Sequence, residues 1–435
     1  MDTFNLSVNP SQVVSPMTPP MTPMPAQINA GPDQAPGPAP DLHDIVAGFA
    51  AGALTGPVVP LGKGLINDTF AVTTTAGRYV LQRVNQRVFA QPERIMTNLA
   101  VLAAHTAGRD GLRVPALVAA RDGRPFLRTA AGDCWRLMEL IPDAVTLERL
   151  TTAAQAHQVG RALGRFHRLT RDLDPRRLGL TLPGFHRTPD YLARHLALRA
   201  AAGPAAGDAV ECACMAFIDD RGALAPVLED ALAAGRIGLR VIHGDPKLDN
   251  ILFHAADGRA LALIDLDTVQ PGLIQHDLGD CLRSCCNCQG ESAQGVTVRF
   301  DLALCEQILS AYATQTRDFL TSAEVAVLYD SIRLMPFELG LRFLNDHLEG
   351  DRYFRVAYRG QNLHKARVQF ALVADIEAQE SAIRALIARA YGGADREARI
   401  PILLVNEPGI EKSVGSCAIA GLVSGVPLGG TATRR

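Results

Sequence analysis

Two short acidic segments constrain this chain more than anything else in it: His243-Gly244-Asp245-Pro246-Lys247-Leu248-Asp249-Asn250 and Ile264-Asp265-Leu266-Asp267. They sit among short apolar stretches, residues 239–243, 251–253 and 260–265, that read as strands of a small hairpin carrying loops. Any fold that uses Asp245, Asn250 and Asp265 together must bring two loops to one place. Phosphoryl transfer asks for this, because its loose transition state needs an acceptor held in line and charge neutralised rather than covalent work. On that reading Asp245 accepts the proton of the acceptor hydroxyl and Lys247 faces the transferred group. Asn250 and Asp265 hold Mg²⁺ against the phosphates. The competing reading is that Asp and Asn in turns merely bond their own backbone. Two acidic loops following two strands in the required order favour chemistry.

A glycine-bearing segment supports this: Leu61-Gly62-Lys63-Gly64-Leu65-Ile66-Asn67-Asp68-Thr69-Phe70, between two stretches of strand character. Gly62 and Gly64 let backbone N–H groups approach phosphates, with Asn67 and Thr69 beside them, although a plain tight turn would use the same residues. No Walker pattern occurs, and a strand rather than a helix follows, which argues against a dinucleotide-binding fold. Of only four lysines, Lys63, Lys247, Lys365 and Lys412, two fall in these phosphate-facing segments. A nucleotide-binding lobe also needs a cation from its third strand, where Tyr79-Val80-Leu81-Gln82-Arg83-Val84 offers Gln82 or Arg83. Strand alternation puts those two on opposite faces and leaves the choice open. Glu93, heading the next helical stretch, is a candidate partner for that cation, and equally a glutamate favoured by the helix dipole. Met138-Glu139-Leu140-Ile141 joins the two halves of the chain, and Glu139 and Ile141 are the backbone candidates for adenine.

Composition removes other classes of function. The chain has 435 residues, 48% of them apolar, and a net charge of −2. It can build a sizeable core, and it lacks the basic excess a nucleic-acid partner would require. Nine cysteines at irregular spacing make no disulfide framework, and neither a signal peptide nor a membrane span is evident, so a cytoplasmic protein is expected. Residues 1–40 have the composition of a disordered leader. Residues 41–141 read as an N-terminal nucleotide-binding lobe and hinge: a β-meander turning at Ala76-Gly77, one helix over 93–107, and short strands near 113–120, 125–129 and 135–140. Residues 142–394 read as a helical catalytic and substrate-binding lobe, with helices over 147–169, 191–201, 212–235, 304–319, 322–347 and 363–391. Residues 395–435 form a tail in which only 401–405 suggests a strand.

The interval from Asp245 to Asn250, with Lys247 in register, is that of the protein-kinase catalytic loop, and the whole resembles the aminoglycoside phosphotransferase and choline kinase superfamily. Its N-acetylhexosamine 1-kinase branch is resembled most, through Gly64-Leu-Ile-Asn-Asp-Thr-Phe, Tyr79-Val-Leu-Gln-Arg-Val-Asn, Ile264-Asp-Leu-Asp-Thr-Val-Gln-Pro-Gly, His276-Asp-Leu-Gly-Asp-Cys-Leu-Arg and Glu338-Leu-Gly-Leu-Arg-Phe-Leu-Asn-Asp-His-Leu-Glu-Gly-Asp-Arg-Tyr-Phe. The similarity runs from about residue 54 to 386. The resemblance implies an α+β, protein-kinase-like two-lobed fold, with an antiparallel sheet lobe carrying one helix and a larger helical lobe. It implies ATP and Mg²⁺ as cofactors and phosphorylation of the anomeric hydroxyl of an N-acetylhexosamine or related sugar. Arg342 and Tyr353 match the branch's sugar-binding positions, which suits planar donors and a flat ring surface. Arg342 also stands four residues before Asp346, a spacing at which the two could simply pair. Asp277 matches a residue that bonds backbone groups of the catalytic loop.

Rival acceptors are an aminoglycoside, choline or homoserine-type alcohol, and a rival of another class is a nucleotide-binding pseudokinase, prompted by the missing third-strand lysine. Cys281, Cys285, Cys286 and Cys288, with Cys212 and Cys214, lack the paired spacing of a zinc site and read as core residues. His157, His167, His186 and His195 read as helix-surface or structural residues.

Overall fold

Alternation of apolar side chains builds the first half of the molecule. The computed structural model describes residues 41–61, 66–109, 111–203, 208–288 and 298–392. Expectations for the leader, for Gly62, Lys63 and Gly64, and for the tail lie outside those residues. Helix α1 (Leu42–Ala47), capped by the Asp41 side chain, precedes strands β1 (Val59–Pro60), β2 (Asp68–Thr74) and β3 (Gly77–Arg83). Helix α2 (Pro92–Thr106), with proline at its start where no N–H is needed, follows. Then come β4 (Leu117–Val118), β5 (Leu127–Arg128) and β6 (Cys134–Glu139). The strands form one antiparallel sheet in the order β1-β2-β3-β6-β4, with β5 also on β6.

The two faces of this sheet do different work. Val72, Leu81, Trp135 and Leu137 are buried with Ile45, Val46 and Phe49 of the α1 region. Val84 and Cys134 point the other way, into the large core that includes Ile95, Leu99 and Leu102 of α2. Because strand side chains alternate, Gln82 and Arg136 share this second face, and Arg83 belongs to the first.

The second half is mainly helical. After β7 (Ala144–Val145) comes α3 (Ala153–Thr170), which begins later than expected because Thr152 and Gln155 form a capping box. Helix α4 (Thr188–Ala202) is next, and the expected 212–235 helix is two, α5 (Ala209–Asp219) and α6 (Val227–Ala233), interrupted around Gly222 and Pro226. Strand β8 (Arg240–Ile242) leaves the expected hairpin and pairs with β11 (Gln270–Gly272), while β9 (Ile251–His254) and β10 (Ala260–Leu263) form it with β7 at the edge. Helices α7 (Ile274–Cys285) and α8 (Leu302–Thr316) follow. The remaining two expected helices are each divided: α9 (Ser322–Ala326) from α10 (Leu328–Leu348), and α11 (Gln361–Ala378) from α12 (Glu380–Tyr391). Helix α10 is the axis of this half, packing on α4, α7 and α11. Among the described residues no helix is long and apolar enough to cross a membrane.

Helix α7 can reach α10 only through Gly279. A Cβ there would lie 2.5 Å from the Ser331 carbonyl oxygen and 2.6 Å from Met335 Cγ. Gly279→Ala is therefore expected to destabilise the protein by ~1–3 kcal/mol, the usual cost of overpacking, read as a lower urea midpoint. An unchanged midpoint would contradict this packing.

Candidate active site

The segment 243–250 is held from behind by one buried carboxylate. Asp277, in the first turn of α7, accepts the backbone N–H of His243 (2.7 Å, Oδ2) and of Gly244 (2.8 Å, Oδ1). His167 Nε2 of α3 donates to Oδ2 as well, at 2.9 Å. Burial alone would raise the Asp277 pKa, but the His167 hydrogen bond and charge keep it below the ordinary carboxylate value. Gly244 has φ +86°, and a Cβ would meet the Thr268 carbonyl oxygen at 2.7 Å, so glycine is required where the loop turns. His243 is completely buried; its Nδ1 accepts the Asp245 N–H (3.2 Å) and its Nε2 donates to the Ile264 carbonyl (3.1 Å), which ties the two acidic segments together.

In front of this scaffold Asp245 is half-buried. Lys247 Nζ stands 2.6 Å from Asp245 Oδ2, and Asn250 Nδ2 donates to the same oxygen (3.1 Å) and to the Asp245 carbonyl (2.8 Å). With its nitrogen so engaged, the Asn250 side-chain oxygen is the atom available to a cation. Asp265 has φ +60°, a conformation that a non-glycine residue keeps only where its surroundings impose it. The residue as a whole is exposed, yet desolvation by the protein packed around its carboxyl, followed by the charge of Asp267, pushes its pKa up to about 7. Among the described residues no group of three His, Cys, Asp or Glu side chains stands ready to hold a metal by itself. One carboxylate and one amide oxygen suit Mg²⁺, which keeps waters and phosphate oxygens for its remaining positions. A divalent cation would also relieve the charge crowding that raises Asp265. The residues present therefore fit this ion.

The nucleotide side differs from expectation in which cation is inward. Arg83 lies on the outer face, paired with Asp68 at 2.5 Å, 5.9 Å from the Trp135 ring centroid. Gln82 points inward, but its amide is committed: Nε2 donates to Thr69 Oγ1 (3.0 Å), and Oε1 accepts from Arg136 Nε (2.9 Å) and Nη2 (2.6 Å). Arg136, only 1% exposed, makes an ion pair with Asp267, Nη2 to Oδ1 at 2.5 Å. Asn67 donates to the other Asp267 oxygen at 2.7 Å, so Asn67, Thr69 and Gln82 form one network with Arg136 and Asp267. Glu93 is engaged with Arg128 and not with the third strand. At the junction of the halves the N–H groups of Glu139 and Leu140 bond Ala116 and Arg78, whereas the Ile141 N–H has no backbone acceptor among the described residues.

The acceptor side is built on α10. His186 bridges the loop to this helix, with Nε2 donating to the Gly244 carbonyl (2.8 Å) and Nδ1 to Glu338 (2.9 Å). One turn further along, the half-buried Arg342 guanidinium is walled by the rings of Phe185, Tyr191, Phe354 and Tyr353, 5.2 to 6.0 Å from their centroids. Asp346 does not pair with it. Instead Asp346 accepts the N–H groups of Arg352, Tyr353 and Phe354, winding that loop so that two of the rings reach Arg342. No carboxylate among the described residues is within ion-pair distance of Arg342, although Glu338 and Asp245 are close enough to help raise its pKa against the opposing effect of burial.

A family model described as the phosphotransferase enzyme family, APH, matches residues 57–312. The chain belongs to this phosphotransferase family. It is accordingly a small-molecule kinase, an enzyme that transfers a phosphoryl group to an alcohol. Homoserine kinase of Xanthobacter autotrophicus is 28% identical over 257 residues, 57% of this chain and 69% of that protein. In fold the chain is similar to a microcompartment-associated aminopropanol kinase (18% identity, TM-score 0.55, 79% of this chain and 97% of that one). It is similar also to an aminoglycoside phosphotransferase of Alicyclobacillus acidocaldarius (16% identity, TM-score 0.57, 82% and 99%). Arg342 and Tyr353 lie beyond the matched span, so membership in the phosphotransferase family leaves the acceptor open.

In this phosphotransferase the structure brings Asp245, Lys247 and Asn250 into contact and ties them to the Asp265 loop through His243. Arg136 and Asp267 were missed from the sequence, and the only available signal was the cross-strand pairing of Gln82 with Arg136, which needs the register. The histidines divide as well: His157 is exposed, while His167, His186 and His195 are buried. Burial opposes a charge on His186, yet the Glu338 charge and hydrogen bond raise its pKa, and in return Glu338 falls to about 2 despite its own burial. Both His186 ring nitrogens face oxygen acceptors, Glu338 and the Gly244 carbonyl, an arrangement that calls for a doubly protonated ring. The pair's contribution fades as pH rises through the elevated His186 value and, on the acid side, only as pH nears 2. Long-range ¹H–¹⁵N spectra at pH 7 are expected to show His186 doubly protonated and His243 and His276, both lowered by burial, neutral. A neutral pattern for His186 would contradict the ion pair.

Proposed function

We propose that this kinase uses ATP and Mg²⁺ to phosphorylate the anomeric hydroxyl of an N-acetylhexosamine or a closely related sugar. The observation that carries the reading is Arg342: a guanidinium with four aromatic walls and no carboxylate partner among the described residues, on the helix that His186 ties to the 243–250 loop. Rings alone would suit a quaternary ammonium, but the Arg342 guanidinium among them repels the cations of choline and aminoglycosides. The same arrangement suits a neutral ring bearing hydroxyls and an amide carbonyl, with Tyr353, 44% exposed, as the stacking surface. The sequence likeness to the N-acetylhexosamine 1-kinase branch supports the same acceptor.

In this reading Asp245 takes a hydrogen bond from the acceptor hydroxyl and draws its proton as the bond from that oxygen to the γ-phosphorus forms. The bond from the γ-phosphorus to the bridging oxygen breaks, that bridging oxygen leaving with ADP. Asn250 fixes the Asp245 carboxylate from one side and Lys247 from the other, and Lys247 lies where the transferred group's charge grows. Asn250 and Asp265 would hold Mg²⁺, which when bound would supply positive charge against the phosphates. By the sequence likeness Gly62 and Gly64 would approach the phosphates; Asn67, Thr69 and Gln82 would act through their network with Arg136 and Asp267, and Arg83 stays on the outer face. The Glu139 carbonyl and the Ile141 N–H would receive adenine.

A second reading is favoured by the same arginine. A free guanidinium pairs well with a carboxylate, and the 28% identical relative is a homoserine kinase, so an amino-acid alcohol is the main competitor. A panel of N-acetylhexosamines, hexoses, homoserine, choline and aminoglycosides with Mg²⁺ and ATP, read by ³¹P and ¹³C NMR, separates them. Phosphate on C1 of an N-acetylhexosamine is expected; turnover of homoserine with no sugar turned over would overturn the proposal.

Two variants test the roles. Asp245→Asn is expected to lower kcat ~10²–10⁴-fold, the range for loss of a general base, with nucleotide affinity retained; a wild-type kcat would remove Asp245 from that role. Arg342→Leu should raise the acceptor KM roughly 10–100-fold, as for loss of a charged hydrogen bond, while the KM for ATP stays put. Equal effects on both substrates would place Arg342 elsewhere.

A further inference from the structure

We propose that Arg136 is the positioning cation of the phosphate end of the cleft, supplied from β6 in place of a lysine on β3 and acting through Asp267 on the loop that carries Asp265. The inference rests on the reading above that Asp265 and Asn250 face a metal-bound triphosphate.

The residues where such a cation was expected are otherwise engaged. Arg83 is on the wrong face and bound to Asp68, Gln82 is inward but uncharged, and Glu93 is held by Arg128. Arg136 lies directly across from Gln82 in the β3–β6 register, on the face turned toward the second half of the molecule. It spans from the sheet to the acidic loop: two nitrogens bond Gln82 and one of them also reaches Asp267. Its third nitrogen, Nη1, is buried with no hydrogen-bond acceptor among the described residues. A buried guanidinium with an unused donor is costly, and it is retained where a partner outside the protein or a positional task compensates.

The positional task is visible in the backbone. Asp265 keeps a left-handed conformation, φ +60°, which a residue with a side chain holds only under constraint. Two residues later Asp267 is gripped from both sides, by Arg136 on Oδ1 and by Asn67 on Oδ2. Asn67 itself accepts the Asn85 N–H at 3.0 Å, so the grip is anchored at both ends of the β2–β3 hairpin. The fork geometry of arginine is used here in a way lysine cannot copy, since one head group bridges an amide oxygen and a carboxylate. Arg136 therefore sets where the Asp265 carboxylate stands without touching the reactants through it.

The test reads binding, not turnover. Mg²⁺ is titrated into protein with a non-hydrolysable ATP analogue, and nucleotide binding is followed by calorimetry for wild type, Arg136→Lys, Arg136→Gln and the double variant Arg136→Gln/Asp267→Asn. Loss of an outer-shell partner typically costs ~10–100-fold in metal affinity, so the Mg²⁺ half-saturation is expected to rise by that factor in the Gln and double variants. The Lys variant should fall between, and affinity at saturating Mg²⁺ should stay near wild type. Removing one member of a buried ion pair can unfold a protein, so circular dichroism accompanies each variant, and the charge-free double variant and the charge-retaining Lys variant keep the experiment informative. Folded Lys and double variants with a wild-type Mg²⁺ half-saturation would overturn the inference while leaving the proposed reaction intact. Nucleotide binding by the wild type that ignores Mg²⁺ would instead sink the metal reading, and this inference with it.

Discussion

One buried carboxylate holds the proposed reaction centre in shape. Asp277 collects two successive backbone N–H groups and an imidazole, and nothing about it is exposed. Two orphan donors in a tight loop would each cost about 1–3 kcal/mol if left unpaired in the interior, so the loop takes the one shape that satisfies them. That shape requires glycine at 244, sends the Asp245 side chain forward, and leaves the Asn250 amide to brace it. The chemistry of the loop is a consequence of how its back is held.

From this anchor two further contacts reach outward in opposite directions. His243 and then Asp267 carry the constraint to the sheet, where Arg136 and Asn67 receive it. His186 carries it to α10 by spanning the Gly244 carbonyl and Glu338, and Glu338 stands one helical turn before Arg342. The proposed acceptor wall and the proposed phosphate end are therefore tied to the same loop. Such continuity suits a reaction whose protein contribution is placement and charge, and in which an ångström of misplacement costs rate.

The sequence exposed the centre better than its surroundings, for physical reasons. The contact of Asp245 with Asn250 and their tie to the Asp265 loop were readable because loop carboxylates and amides after short strands carry their spacing in the chain itself. Gln82 and Arg83 posed a choice that alternation cannot make, since it separates faces without saying which is inward; the burial of Leu81 and Trp135 beside α1 decides it for Gln82. Arg136 was silent because a lone arginine in a strand acquires meaning only from the strand paired with it. The Arg342–Asp346 spacing misled as far as pairing goes, because three loop N–H groups offered the carboxylate a better set of partners. Helix breaks at Val327 and Gln379 carry no glycine or proline, and no local signal marks them. The break near Gly222 and Pro226 did carry such a signal. Of the six cysteines read as core residues, Cys214, Cys281, Cys285 and Cys286 are buried as small apolar side chains, whereas Cys212 and Cys288 are exposed, each lying near the end of its helix or segment where the surface begins.

The central claim is that Asp265 and Asn250 converge on one metal-bound triphosphate beside Asp245. Mn²⁺ substituted for Mg²⁺ makes this directly visible by electron paramagnetic resonance in the presence of a non-hydrolysable ATP analogue. The account requires tight nucleotide-dependent Mn²⁺ binding by the wild type that is lost in Asp265→Asn, weakened in Asn250→Ala and retained in Asp245→Asn. Mn²⁺ spectra unchanged by Asp265→Asn would contradict it.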